Sequence, residues 1–202
     1  DAKFTVSAKD AFNKAYKYKN YWKKNGKPNG GITVSGGEPL LQIDFLLDLF
    51  KKAKAKGIHT TIDTAGGPFT REEPFFSKFQ ELMQYTDLLL VDIKHIDEKS
   101  HKELTGKTNK NILDMIRFLS DIKKPVWIRH VLVPERSDYD EYLNRLNDFI
   151  QTLDNVERVE ILPYHTLGAY KWKELGLDYP LEGINPPSRE RVENAKKILH
   201  CS

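Results

Sequence analysis

The sequence is almost without cysteine. Of 202 residues only Cys201, the penultimate one, carries a thiol. That excludes a disulfide framework and fits a reducing compartment. A charge excess is missing as well. The 32 basic and 29 acidic side chains leave a formal net charge of +3, too little to argue for a nucleic-acid partner. No apolar run approaches the roughly 18 residues that a membrane span needs, and no signal peptide opens the chain, so no membrane role is indicated. The six histidines are scattered, none at metal-ligand spacing from another. Low-complexity segments and internal repeats are absent. So is an initiator methionine: "DAKFTVSAKDAF" leads almost at once into a helix, and the chain reads as the inside of a longer protein.

What is present suffices for one sizeable core, with 39% hydrophobic residues, and a single domain over 1–202 is expected. Ser7 and Asp10 resemble a capping box, and Phe12, Ala15, Tyr16 and Trp22 follow at helical spacing. "NGKPNGG" breaks that helix. From there strand and helix patterns alternate. "ITVSGG", "IHTTIDTAGG", "TDLLLVDIK", "VWIRHVLVP" and "VERVEILPYH" read as strands. "LLQIDFLLDLFKKAKAKG", "EEPFFSKFQELMQY", "KNILDMIRFLSDIKKP", "DYDEYLNRLNDFIQTL" and "SRERVENAKKIL" read as helices. The second segment of this series, from Leu40, presents Phe45, Leu46, Leu49, Phe50 and Ala53 on one face. Such alternation predicts an α/β fold with a parallel sheet and covering helices.

The unusual residues cluster where strands end: Gly36-Gly37-Glu38, Asp63-Thr64, Asp92-Ile93-Lys94, Arg129 and His130, and Tyr164-His165. In α/β folds that end carries the ligand site, and five strand ends on one rim suggest a barrel or part of one. Each residue also has a bland reading. Gly36-Gly37 suits a plain turn. Glu38 suits a helix N-terminus, and Asp63 and Asp92 suit caps. Lys94 suits solvent, Arg129 a structural ion pair, and His165 a loop. "KKAKAK" is a solvated helix face, and Cys201 carries no evident role.

Together these segments match a family. "SGGEPLLQ" resembles the GGE motif of radical S-adenosylmethionine (SAM) enzymes. "GIHTTIDTAG", "LLLVDIK", "VWIRHVLVP" and "ILPYHTLGAYKW" then follow in the order and spacing of the pyruvate formate-lyase activating enzymes, the radical SAM activases of glycyl-radical enzymes. The resemblance runs from about Thr5 to Leu199, and five co-linear motifs carry it.

The resemblance implies a partial (β/α) barrel in which five of the family's six parallel strands are visible. It implies reductive cleavage of SAM and a glycyl radical left on pyruvate formate-lyase. Gly36, Gly37, Glu38 and Asp63 would face the SAM ammonium, Lys94 and His165 its carboxylate, and Asp92, with Ile93 beside it, the ribose. A monovalent cation is implied at Asp63, Thr64 and Asp92, and contact with the partner's glycine loop at Arg129. A flavodoxin or ferredoxin as electron donor and an anaerobic cytoplasm belong to the same inference. The family's [4Fe–4S] cluster hangs on a CxxxCxxC loop that these residues lack. The implied cluster therefore belongs to a full-length protein only, and this truncated domain alone is expected to be inactive. Two other readings stay open on the residues: an activase of a different glycyl-radical enzyme, and a phosphate-binding barrel or non-catalytic scaffold.

Overall fold

A computed structural model describes residues 5–24, 27–28 and 30–201. The first four residues of the opening segment, and Asn25, Gly26 and Asn29 of the "NGKPNGG" breaker, lie outside them. Helix α1 (Ala8–Tyr16) begins as its capping box predicts, with the Asp10 amide donating to the Ser7 hydroxyl at 3.1 Å. It does not reach Trp22. A separate 3-10 turn holds Lys19–Trp22, and a short antiparallel ribbon pairs β1 (Lys23–Lys24) with β2 (Lys27–Pro28). Trp22 nevertheless packs edge-on against Tyr16, with centroids 6.4 Å apart. The apolar spacing that suggests one long helix reports a chain folding back on itself.

Five strands make one sheet in the order β3 (Gly31–Val34), β4 (His59–Thr64), β5 (Leu88–Asp92), β6 (Val126–Leu132), β7 (Val156–Pro163). The covering helices are α2 (Ile43–Lys54), α3 (Phe75–Gln84), α4 (Glu98–Thr105), α5 (Lys110–Asp121), α6 (Asp140–Gln151), α7 (Ala169–Glu174) and α8 (Arg189–Ile198). The α/β class is as expected from the alternation. None of the helices is long and apolar enough to cross a membrane, among the described residues. The chain divides into two compact units, one of Asp1–Val91 with Asn111–Val126, the other of Asp92–Lys110 with Trp127–Ser202.

In the first unit β3 and β5 each pair in parallel with β4, Ile32 opposite Thr60 and Thr61 opposite Leu88. Helix α2 begins later than its sequence suggests, because Pro39–Gln42 forms a 3-10 turn first. Leu46, Leu49, Phe50 and Ala53 are buried as predicted, whereas Phe45 is half-buried. Phe69, only 2% exposed, lies in the connection before α3. Its ring is within 5.1 to 6.3 Å of those of Phe75, Phe76, Phe79 and Phe118.

Asp87 ties α2 to β4. It accepts from Lys54 Nζ at 2.7 and 2.8 Å, from the Thr60 amide at 2.8 Å and from the Thr60 hydroxyl at 3.1 Å. Burial pushes this carboxyl up, but the Lys54 ammonium and the Thr60 amide outweigh it and hold the group below the usual range. A depressed carboxyl stabilises the fold above its unfolded value of about 4, and that stability is lost as pH falls through the folded value. Thermal midpoints between about pH 6 and about pH 3 should therefore fall less steeply for Asp87→Asn than for the wild type, from a lower starting point. Parallel curves would show that Asp87 does not carry this linkage.

The second unit contains two helices that apolar periodicity does not announce, α4 and α7. Helix α4 buries only His101, so it has no apolar stripe to read. Its ends are legible in hindsight. Asp97 caps it through the Ser100 amide at 3.0 Å, and Gly106 closes it at φ 75°. Strand β6 alternates strictly, burying Val126, Ile128, His130 and Leu132 and leaving Arg129 half-buried on the opposite face.

Candidate functional site

In the first unit the chain leaves β3 through Gly36 and Gly37, at φ 86° and 54°. Both lie in the left-handed region, which is why glycine stands at each. A Cβ at either would meet no atom within 4 Å. The pair is therefore needed for the turn itself, and the space beside it is open. Glu38 follows as the cap of the Pro39–Gln42 turn, accepting the Leu40 amide at 3.0 Å. The same carboxylate reaches the end of β4, taking the Thr64 hydroxyl at 2.6 Å and the Ala65 amide at 3.0 Å. Thr64 Oγ1 in turn accepts the Gly66 amide at 2.8 Å. Three of the roughly four acceptor positions of a carboxylate are thereby taken. Glu38 does stand at the N-terminus of a helical turn, as its bland reading has it, and the same carboxylate locks the two strand ends together. Asp63, half-buried, is the residue before Thr64 in β4 and lies opposite Leu90.

In the second unit Asp92 is the centre. Its Oδ2 accepts Lys94 Nζ at 2.7 Å, and its Oδ1 accepts Arg129 Nε at 2.8 Å. Asp92 and Arg129 are 15% and 16% exposed and Lys94 is 32% exposed. Lys94 is thus not the solvated lysine of the bland reading, and Arg129 does make a structural ion pair. Ile93, between the two charged residues, is buried, and its amide donates to the Arg129 carbonyl at 2.9 Å. His130 is buried, with its ring nitrogens 2.8 Å from the Ile93 carbonyl and 3.1 Å from the Ser137 carbonyl. At the end of β7, Tyr164 is buried while His165 is exposed. Burial and a 2.7 Å contact with the Tyr179 hydroxyl push the Tyr164 phenol up to about 12.

The expected site residues thus fall into two sets. Gly36, Gly37, Glu38, Asp63 and Thr64 belong to the first unit; Asp92, Ile93, Lys94, Arg129 and His165 belong to the second. What sequence reasoning missed is the sharing of Asp92 by two cations. An arginine between the buried positions of an apolar strand was the available signal. Cys201 is half-buried, and burial pushes its thiol up. Among the described residues no group of three or more His, Cys, Asp or Glu could hold a metal ion. One raised thiol does not fit a [4Fe–4S] cluster, which needs several thiolates.

Residues 17–149 match the model of the radical SAM superfamily. The chain is 54% identical over 196 residues to the pyruvate formate-lyase-activating enzyme of Listeria monocytogenes, covering 97% of this chain and 78% of that one. It is 54% identical over 194 residues to that of Streptococcus mutans, covering 96% and 72%. Among solved structures, a domain of pyruvate-formate lyase-activating enzyme from Bacteroides vulgatus superposes with a TM-score of 0.68 at 28% identity, covering 85% of this chain and 93% of that one. By these matches the chain belongs to the radical SAM superfamily and, within it, to the family of the pyruvate formate-lyase-activating enzymes.

Proposed function

We propose that this chain binds SAM in an activase that installs a glycyl radical on pyruvate formate-lyase. The observation that carries the reading is the placement of Lys94 and Asp92 side by side, a cation and a carboxylate 2.7 Å apart. SAM bears both complementary groups, a carboxylate for Lys94 and ribose hydroxyls for Asp92. His165, exposed at the end of β7, is a second partner for the SAM carboxylate. In the first unit the open space beside Gly36-Gly37 lets backbone carbonyls approach an ammonium. Glu38 and Asp63 contribute negative charge there. SAM, when bound, would supply a 5′-deoxyadenosyl radical once one electron from a separate reductant breaks its C5′–S bond and releases methionine; the residues of this chain would position SAM and exclude water. Asp92 already accepts from two cations, one on each oxygen, which leaves less of its negative charge for a metal ion there.

The shared name of the relatives favours pyruvate formate-lyase over other glycyl-radical enzymes as the partner. A flavodoxin- or ferredoxin-type donor and an anaerobic cytoplasm complete the proposal. Arg129 is assigned to the partner's glycine loop. Leaving Asp92 to engage that loop would free the carboxylate for the cofactor.

Two variants of the gene product test the division of labour. Lys94→Ala should weaken calorimetric binding of S-adenosylhomocysteine by about tenfold or more, since a partly buried charged pair is worth roughly 1.5–3 kcal/mol. Arg129→Ala should weaken that affinity less than Lys94→Ala does, since Arg129 reaches SAM only through Asp92. It should nevertheless lower the glycyl-radical paramagnetic resonance signal formed on pyruvate formate-lyase. Unchanged affinity in Lys94→Ala would sink the assignment of the Asp92–Lys94 segment to SAM.

A further inference from the structure

We infer that His130 is a positioning residue, whose ring sets the place of the Asp92–Ile93–Lys94 segment. The inference rests on the reading that this segment holds SAM. The segment is held by two consecutive residues of β6. Arg129 grips Asp92 with its guanidinium at 2.8 Å and takes the Ile93 amide with its carbonyl at 2.9 Å. His130 takes the other side of the same residue, its Nδ1 lying 2.8 Å from the Ile93 carbonyl. Ile93 thus has its amide, its carbonyl and its buried side chain all fixed, which leaves the flanking Asp92 and Lys94 little freedom.

The ring is chosen for donation and not only for bulk. A carbonyl oxygen can only accept, and both ring nitrogens face one, Nε2 lying 3.1 Å from the Ser137 carbonyl. The Ser137 hydroxyl closes the same turn, donating to the Val131 carbonyl at 2.7 Å and accepting the Val133 amide at 3.0 Å. His130 is 2% exposed, and burial disfavours the doubly protonated ring; the two carbonyl contacts favour it, but burial outweighs them. The Ile93 carbonyl, at the shorter distance of 2.8 Å, needs an N–H on Nδ1 as its donor. An apolar residue of equal size would leave the Ile93 carbonyl buried without a donor.

Three replacements separate donation from packing. Asparagine places its amide nitrogen near the Nδ1 position, glutamine places its own near Nε2, and phenylalanine fills the space with no donor. Two quantities are read on the gene product: amide hydrogen exchange over residues 92–95 and calorimetric affinity for S-adenosylhomocysteine. His130→Asn should keep slow exchange and affinity within about threefold of wild type. His130→Phe and His130→Gln should exchange faster and bind about tenfold more weakly, the cost of a buried carbonyl left unpaired. If the phenylalanine variant fails to fold, the asparagine and glutamine pair still decides. Equal behaviour of Asn and Gln, or losses that simply follow each variant's thermal stability, would overturn the inference. Exchange that responds as expected while Lys94→Ala leaves affinity unchanged would uphold the positioning role and refute the SAM assignment instead.

Discussion

Asp92→Ala should cost the protein about 3 kcal/mol in denaturant unfolding and most of its affinity for S-adenosylhomocysteine. The two losses share one cause. Asp92 accepts from Lys94 and Arg129 on its separate oxygens, and two of the three side chains are about 15% exposed. Removing the acceptor takes from Lys94 and Arg129 the carboxylate that both face, in a place that is largely buried on the Arg129 side, which costs more than the pair itself contributes. Asp92→Asn is less severe for stability, since the amide oxygen still serves one donor while its NH2 faces the other. The double variant Asp92→Ala with Arg129→Ala should recover part of the stability lost by Asp92→Ala alone, because it removes one of the two cations that face the lost carboxylate. A loss below about 1 kcal/mol for Asp92→Ala would mean that water screens this cluster as it screens surface pairs.

Phe69→Ala should be about as damaging to the first unit, by roughly 3–5 kcal/mol, as expected for a buried aromatic truncated to alanine. The ring contacts four other phenylalanine rings, three from α3 and one from α5. Its loss leaves a cavity that those rings can fill only by leaving favourable edge-to-face geometry. Phe69→Leu should lose less, roughly 1–2 kcal/mol, because most of the volume is kept. Equilibrium unfolding followed by near-ultraviolet circular dichroism reads both the stability and the aromatic packing. A Phe69→Ala variant as stable as Phe69→Leu would show that the cluster collapses onto the gap.

Phe69 also marks where the sequence stops speaking. It stands between two breakers, in "GGPFTREEP", with no periodic partner to declare it buried. The strand and helix segments were legible because each repeats its apolar residues at its own period, and that period survives without knowledge of neighbours. The GGE turn was legible too, because a backbone at positive φ selects glycine locally. Helix α4 was not, since its burial rests on His101 alone. The chemistry of the site divides in the same way. The sequence by itself determined the residue types at the strand ends, and so the family resemblance. Only the tertiary structure decided what those residues do to one another. Glu38 spends its oxygens on Leu40, Thr64 and Ala65, Asp92 divides itself between Lys94 and Arg129, and His130 meets two carbonyls. These pairings join positions up to 37 residues apart. They depend on strand register, which is set by hydrogen bonding and burial across the sheet and not by any local preference of the residues themselves.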